Sequence, residues 1–352
     1  MKKLLIILLK VAISLGIMAF LVRQAWKNEV FGNFWNQPKN WWFFALATAC
    51  CLVAVLLTFV RWCWLVRTAG MAFPFRSSLR LGFLGYLFNL APLGMVGGDL
   101  LKAVMLAFEQ RGNQAKAVAT VLVDRIIGLY VLFVFASAAI LLTGLSKTPV
   151  YEIRLICQAT LWITLASTVG VAVLFVPWFT DGSWAQAMTR LPRVGHFFAH
   201  SNDAIRLYRN KPRVLLATAV MTLGVHGLFA TGVYCVSRAL PGGFHSLATH
   251  YVIMPVSCAT GVVPLPLGPF EVVFNLLYSR IPISAGIPIV AGQGFLVALG
   301  YRCVCLLIAA VGICYYLAGR REVAAVMHEA QREADQAQED ASSLQLCTAG
   351  KP

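Results

Sequence analysis

Apolar stretches long enough to cross a bilayer recur along this chain, and they constrain its fold more than any other feature. They fall at residues 4–22, 41–60, 118–143, 155–178, 213–238, 247–263 and 286–318, with a shorter one at 265–280 and a Pro/Gly-interrupted one at 77–97. About 20 helical residues span a hydrocarbon core about 30 Å thick. Helices are needed there because hydrocarbon offers no partner to an open backbone group. The pattern predicts an all-α, polytopic integral membrane protein of about eight transmembrane helices, with two broken segments that are re-entrant or discontinuous. With 59% apolar and only 12% charged residues, the chain is far from the composition of a soluble protein.

A formal net charge of +15 raises nucleic acid as a partner. The basic residues, however, lie in short loops between apolar spans rather than along one polar face, so no nucleic acid is expected. They read as topology signals and contacts for anionic lipid. Residues 61–80 carry Arg61, Arg67, Arg76 and Arg80, and 179–213 carry Arg190, Arg193, Arg206, Arg209, Lys211 and Arg213, whereas 239–246 has no Lys or Arg. The positive-inside rule puts the first two loops in the cytoplasm. If 77–97 enters and leaves from that side, eight crossings of the cytoplasmic membrane place both termini in the cytoplasm. Trp41, Trp42, Trp62, Trp64 and Trp178 fall near proposed span ends, where indole rings favour the interface.

Residues 1–318 read as the membrane domain, with 25 Lys+Arg against 8 Asp+Glu, and 319–352 as a charged cytoplasmic tail, helical or disordered, with 4 against 6. Lys10 interrupts the first apolar run and no small-x-small cleavage site follows, so an uncleaved first span is expected. Phe197, Phe198, Ile205 and Tyr208 recur at roughly helical spacing among basic residues, which suits a helix lying on an anionic leaflet or, equally, a solvated loop. Eight of the ten cysteines sit inside apolar stretches and behave as small hydrophobes. No disulfide framework, metal site or cofactor is expected.

Two constellations carry the chemistry. The first runs Asn89-Leu-Ala-Pro92-Leu-Gly94-Met-Val-Gly97-Gly98-Asp99-Leu-Leu-Lys102, and the second Pro264-Leu-Pro266-Leu-Gly268-Pro269-Phe-Glu271. In each, proline leads to glycine and then to an acid seven residues after the first proline. Proline removes a helical hydrogen bond and glycine admits close backbones, so each stretch is expected to be an interrupted helix covered by protein or lining a wet cavity. Each is followed by an arginine near the head of the next apolar span: Asp124-Arg125-Ile-Ile-Gly128 after the first, Tyr301-Arg302 after the second. The acid-to-arginine intervals are 26 and 31 residues, and the two prolines are 172 apart, a weak internal repeat. Corresponding broken segments in two halves are the best sequence pointer to a transporter's binding site.

Open backbone N–H groups at the breaks, together with Arg125, Arg302 and Lys102, make a pocket suited to a phosphate. Asp99, Asp124 and Glu271 would pair with those bases so that no charge stands bare in lipid. The competing reading is that Asp124 beside Arg125, and Asp99 near Lys102, only staple helices together. No catalytic motif is present, so no enzyme activity is expected of the chain. His226, inside an apolar span, reads as a core histidine bonded to a neighbouring carbonyl.

With Asn89, Pro92, Gly97-Gly98-Asp99, Asp124-Arg125, Gly128, Pro264, Gly268, Glu271 and Arg302 in view, residues 1–318 resemble the lysylphosphatidylglycerol synthetase transmembrane-domain family, also called flippase-like. Its most specific portion is Asn-x-x-Pro-x-x-x-x-Gly-Gly-Asp followed by Asp-Arg-x-x-Gly-Leu. The resemblance implies a stand-alone member without the aminoacyl-transferase domain that some relatives carry. Two departures are Lys102, where members usually carry Arg, and a sparser glycine run before Glu271. Lys102 keeps the charge and lacks the planar fork. The implied function is movement of an anionic phospholipid or polyprenyl-phosphate-linked lipid across the membrane. Alternatives are a membrane component or accessory of a separately encoded lipid-linked glycosyl or aminoacyl transferase, and a non-transporting scaffold. The expected partner is a membrane lipid with an anionic headgroup; oligomeric state is open.

Overall fold

The computed structural model describes residues 2–90, 95–110, 112–175, 208–263, 265, 267–282 and 289–320, and every regular element among them is helical. The long helices are α1 (Lys2–Lys27), α3 (Trp41–Thr68), α6 (Gln114–Thr143), α7 (Tyr151–Phe175), α8 (Pro212–Ala239) and α11 (Gln293–Arg320). Six windows, Leu9–Lys27, Trp41–Thr68, Gln114–Thr143, Tyr151–Val173, Pro212–Ala239 and Gln293–Arg320, are long and apolar enough to cross a membrane. The protein is therefore a multi-pass membrane protein. Its surface agrees: Leu142, Trp162 and Leu216 are 89%, 69% and 68% exposed, side chains that suit a hydrocarbon solvent.

Local chemistry sets the ends. Asn40 Oδ1 accepts the N–H of Trp42 at 3.2 Å and starts α3, and Gly144, at φ 69°, ends α6 in the left-handed conformation that glycine adopts without strain. Pro212 opens α8 at a position where its missing N–H costs nothing.

The remaining helices are short. α2 (Val30–Asn36) follows α1; α4 (Phe75–Leu90) packs on α5 (Met95–Glu109); α9 (Leu247–Ala259), extended by a 3-10 turn to Val262, packs on α10 (Pro269–Arg280). At 1.5 Å per residue the members of these two pairs are about 18 to 24 Å long, short of a full crossing. Within the expected broken segment 77–97, α4 ends at Leu90 and α5 begins at Met95, and the helices in the expected spans 247–263 and 265–280 are shorter than the six. Among the described residues six helices are long and apolar enough to cross, against the eight crossings expected of the whole chain. α9 continues through Pro255 to Ala259, and Pro269 opens α10 at a position where its missing N–H costs nothing.

The core forms where α3 packs along α8, and α9 along α6 and α8. Gly232 of α8 permits the first approach, since a Cβ there would meet Cys51 Sγ at 2.5 Å. Val55, Phe59, Ala230, Val233, Ile253, Phe274 and Val304 join one buried cluster drawn from α3, α8, α9, α10 and α11. Trp41 and Trp42 are 71% and 76% exposed, as interface tryptophans should be, but Trp62 is 3% exposed. It lies inside the protein because α3 continues eight residues past the expected end at 60. The expectations for residues 197–207, Trp178 and the tail from 321 lie outside the described residues.

Candidate functional site

The first constellation is built on a contact between two glycines. Gly85 of α4 and Gly98 of α5 bring their backbones so close that a Cβ on Gly98 would strike the Gly85 carbonyl oxygen. Asn89 Oδ1 accepts the Gly98 N–H at 3.1 Å, satisfying one of the donors left open at the start of α5. Gly97 lies beside it in the opening turns. This lock sets the position of Asp99, whose Oδ1 accepts a hydrogen bond from Arg125 Nη2 of α6.

Lys102 lies one turn beyond Asp99 on α5. Its ammonium stands 5.7 Å from the ring centroids of both Phe59 and Trp62 of α3, over faces that attract a cation. Among the described residues it forms no ion pair. The Asp99–Lys102 pair of the competing, helix-stapling reading is absent, and Asp99 is taken by Arg125 instead.

Asp124 is bound by Arg61 of α3. Arg61 Nε donates to Asp124 Oδ1 at 2.8 Å, Nη2 to the Asp124 carbonyl at 3.4 Å, and Nη1 to Thr222 Oγ1 of α8 at 2.6 Å. Thr222 donates in turn to the Thr218 carbonyl at 2.6 Å. One turn on, Gly128 leaves room for the guanidinium, with Arg61 Nη2 only 3.7 Å from where its Cβ would be, and its carbonyl accepts from His226 Nε2 at 3.2 Å. His226 is thus held by a neighbouring carbonyl. Arg61 was expected in a cytoplasmic loop; it is 5% exposed within α3. The Asp124–Arg125 pair of the helix-stapling reading is absent too, because consecutive helical residues project about 100° apart and face different neighbours.

The second constellation repeats the plan. Gly268, at φ 113°, turns the chain into α10, where Pro269 and then Glu271 follow. Glu271 is fully buried: Oε2 accepts the Gly268 N–H at 2.8 Å and Oε1 accepts Arg302 Nε of α11 at 2.6 Å. A carboxylate at the third position of a helix satisfies open donors and sits well in the helix dipole. The Arg302 guanidinium lies 5.4 Å from the Phe270 ring centroid.

Each unit therefore consists of a short helix pair, an acid in the opening turns of the second helix, and an arginine from the next long helix. On α4, Gly85 abuts Lys102, while Tyr86 shares the Cys305 thiol of α11 with Tyr301. Of the residues singled out in the sequence, Asn89, Gly97, Gly98, Asp99, Lys102, Asp124, Arg125 and Gly128 gather in the first unit, and Gly268, Glu271 and Arg302 in the second. Pro92 and Pro264 lie outside the described residues. Sequence reasoning missed Arg61, Trp62 and Thr222. The available signal was a lone arginine within an otherwise apolar run, Val60-Arg61-Trp62-Cys63-Trp64-Leu65-Val66.

One family model, described as lysylphosphatidylglycerol synthase TM region, matches residues 7–312, which include both units. No curated protein matches the chain.

Proposed function

Because the chain belongs to the lysylphosphatidylglycerol synthase TM region family, we propose that it acts on membrane lipid, and that it moves an anionic phospholipid or polyprenyl-phosphate-linked lipid between leaflets. The observation that carries this reading is the matched pair of Asp99–Arg125 and Glu271–Arg302, each joining the second helix of a short pair to the following long helix. Charged groups at membrane depth are costly, and they commonly mark a pathway. Short helix pairs joined at membrane depth need cover from protein or a wet cavity, as substrate sites in transporters provide.

In this reading each arginine in the two pairs is matched by its own carboxylate, so neither member of a pair faces lipid as a bare charge. An arriving headgroup phosphate exchanges for a carboxylate on an arginine, so the headgroup crosses in exchange for an internal pair and no bare charge meets hydrocarbon. Transport of a labelled anionic lipid in proteoliposomes, compared between wild type and Arg125→Ala or Glu271→Ala, tests it. A second reading follows from the family description, which names the membrane region of a synthase: the chain presents lipid to a separately encoded lipid-modifying transferase. Lipid that changes headgroup only when such a transferase is added, with no leaflet exchange, favours that reading.

A further inference from the structure

The two units share a plan and differ in charge. Among the described residues, Arg61, Lys102 and Arg125 meet Asp99 and Asp124 in the first unit, with Lys102 within electrostatic reach of the other four. Each acid is taken by one arginine. Lys102 is left over, its ammonium held only by the faces of Phe59 and Trp62. In the second unit Glu271 and Arg302 cancel one for one, and the remaining Glu271 oxygen is occupied by the Gly268 N–H.

Two further donors of the first unit, Arg125 Nε and Trp62 Nε1, are buried without an acceptor among the described residues. Burying a donor unpaired costs about 1–3 kcal/mol, and an uncompensated charge costs more. Surplus positive charge and unpaired donors gathered in one place suit an anion, which would satisfy both. The Arg125 side chain is 40% exposed, so the place has an open side.

We infer that the first unit is a binding site for a single negative charge, the monoanionic phosphodiester of a headgroup, with Lys102 as its counter-charge and Arg125 Nε as a hydrogen-bond donor, and that the second unit binds no anion while its pair is closed. The assignment deepens the transport reading and rests on it for a lipid as the source of the phosphodiester. The charge balance stands without it.

The test is thermal unfolding of the purified full chain in neutral maltoside detergent, titrated with phosphatidylglycerol and, in separate arms, with sn-glycero-3-phosphoglycerol and inorganic phosphate. Wild type should show a saturable upward shift with phosphatidylglycerol. Lys102→Met should weaken that binding at least about tenfold, and Lys102→Arg should stay within about threefold of wild type. Asp99→Asn, which raises the surplus by one charge, should bind more tightly, a gain that damage to the fold does not produce. Unchanged binding by Lys102→Met, or weaker binding by Asp99→Asn, overturns the assignment. Lys102-dependent binding of the soluble diester without the lipid overturns the lipid source. Lys102-dependent lipid binding with no leaflet exchange sinks the transport reading and leaves this site standing; leaflet exchange that survives Lys102→Met does the reverse.

Discussion

Arg61 Nε meets Asp124 Oδ1 at 2.8 Å across the seam between α3 and α6, with the two side chains only 6% and 13% exposed. The pair is tied to a third helix by the bond from Arg61 Nη1 to Thr222, so three long helices converge on one guanidinium. Removing one partner of a buried pair leaves an unpaired charge and costs about 3–5 kcal/mol, whereas replacing both with apolar groups is often close to neutral. Arg61→Met should therefore destabilise the protein by about that amount, and Arg61→Met with Asp124→Leu should recover most of it. Unfolding in mixed micelles of the two single variants and the double variant measures the coupling.

How much of this was legible in the sequence differs between residues, for physical reasons. Glu271 and Arg302 were legible because ionisable residues in apolar runs are few, and the Pro-Gly-acid order repeats. Their partnership was suggested by the repeated order of acid and then arginine, here 31 residues on, near the head of the next long helix. Asp124 was legible as a charged group but not as the partner of Arg61, 63 residues away. Its sequence neighbour Arg125 was the obvious partner and the wrong one, since adjacent helical positions do not face each other. Arg61 itself was hidden by Arg67, Arg76 and Arg80, which made the whole stretch read as a basic loop. The short helix α5 was hidden for another reason: the prolines and glycines that mark a break say where a helix stops and are silent on how far the next one runs.

The close approach of Gly85 and Gly98 gives a steric contrast with Gly128. A Cβ on Gly98 would strike backbone, which cannot yield as a side chain can, while a Cβ on Gly128 would meet the Arg61 guanidinium at ordinary contact distance, Nη2 at 3.7 Å and Nη1 at 3.9 Å. Gly98→Ala should cost about 1–3 kcal/mol or more through overpacking. Gly128→Ala should stay within about 0.5 kcal/mol of wild type, as substitutions that break no named contact do. Paired unfolding curves check the difference.

Gly268 combines a conformational and a packing demand. Its φ of 113° is one that side chains rarely tolerate, and an added Cβ would stand 3.0 Å from Ile17 Cδ1 of α1. Gly268→Ala should destabilise by about 1–3 kcal/mol. Because the same residue offers its N–H to Glu271, the variant should also loosen the Glu271–Arg302 pair. Faster hydrogen exchange confined to the first turn of α10 is the expected readout.

His245 lies between α8 and α9, 2% exposed, with Nε2–H donating to the Tyr278 carbonyl at 2.7 Å. Burial holds its folded-state pKa below the ordinary histidine value, partly offset by that hydrogen bond. Below about pH 6.5 the unfolded chain then binds more protons than the folded one, so the contribution is present above that pH and is lost as pH falls. His245→Gln, which keeps a donor, should flatten the loss of stability between about pH 6.5 and 5. Thermal unfolding across that range in wild type and variant measures it.

The central claim is that the paired charges of the two units carry a headgroup across the bilayer. Its most direct test is the exchange rate of headgroup-labelled phosphatidylglycerol between leaflets of proteoliposomes. Wild type should exchange the label well above protein-free vesicles, and folded Arg125→Ala and Glu271→Ala should each slow exchange at least about tenfold, a barrier increase of roughly 1.4 kcal/mol. Exchange at the wild-type rate by both variants, or no exchange by wild type, would contradict it.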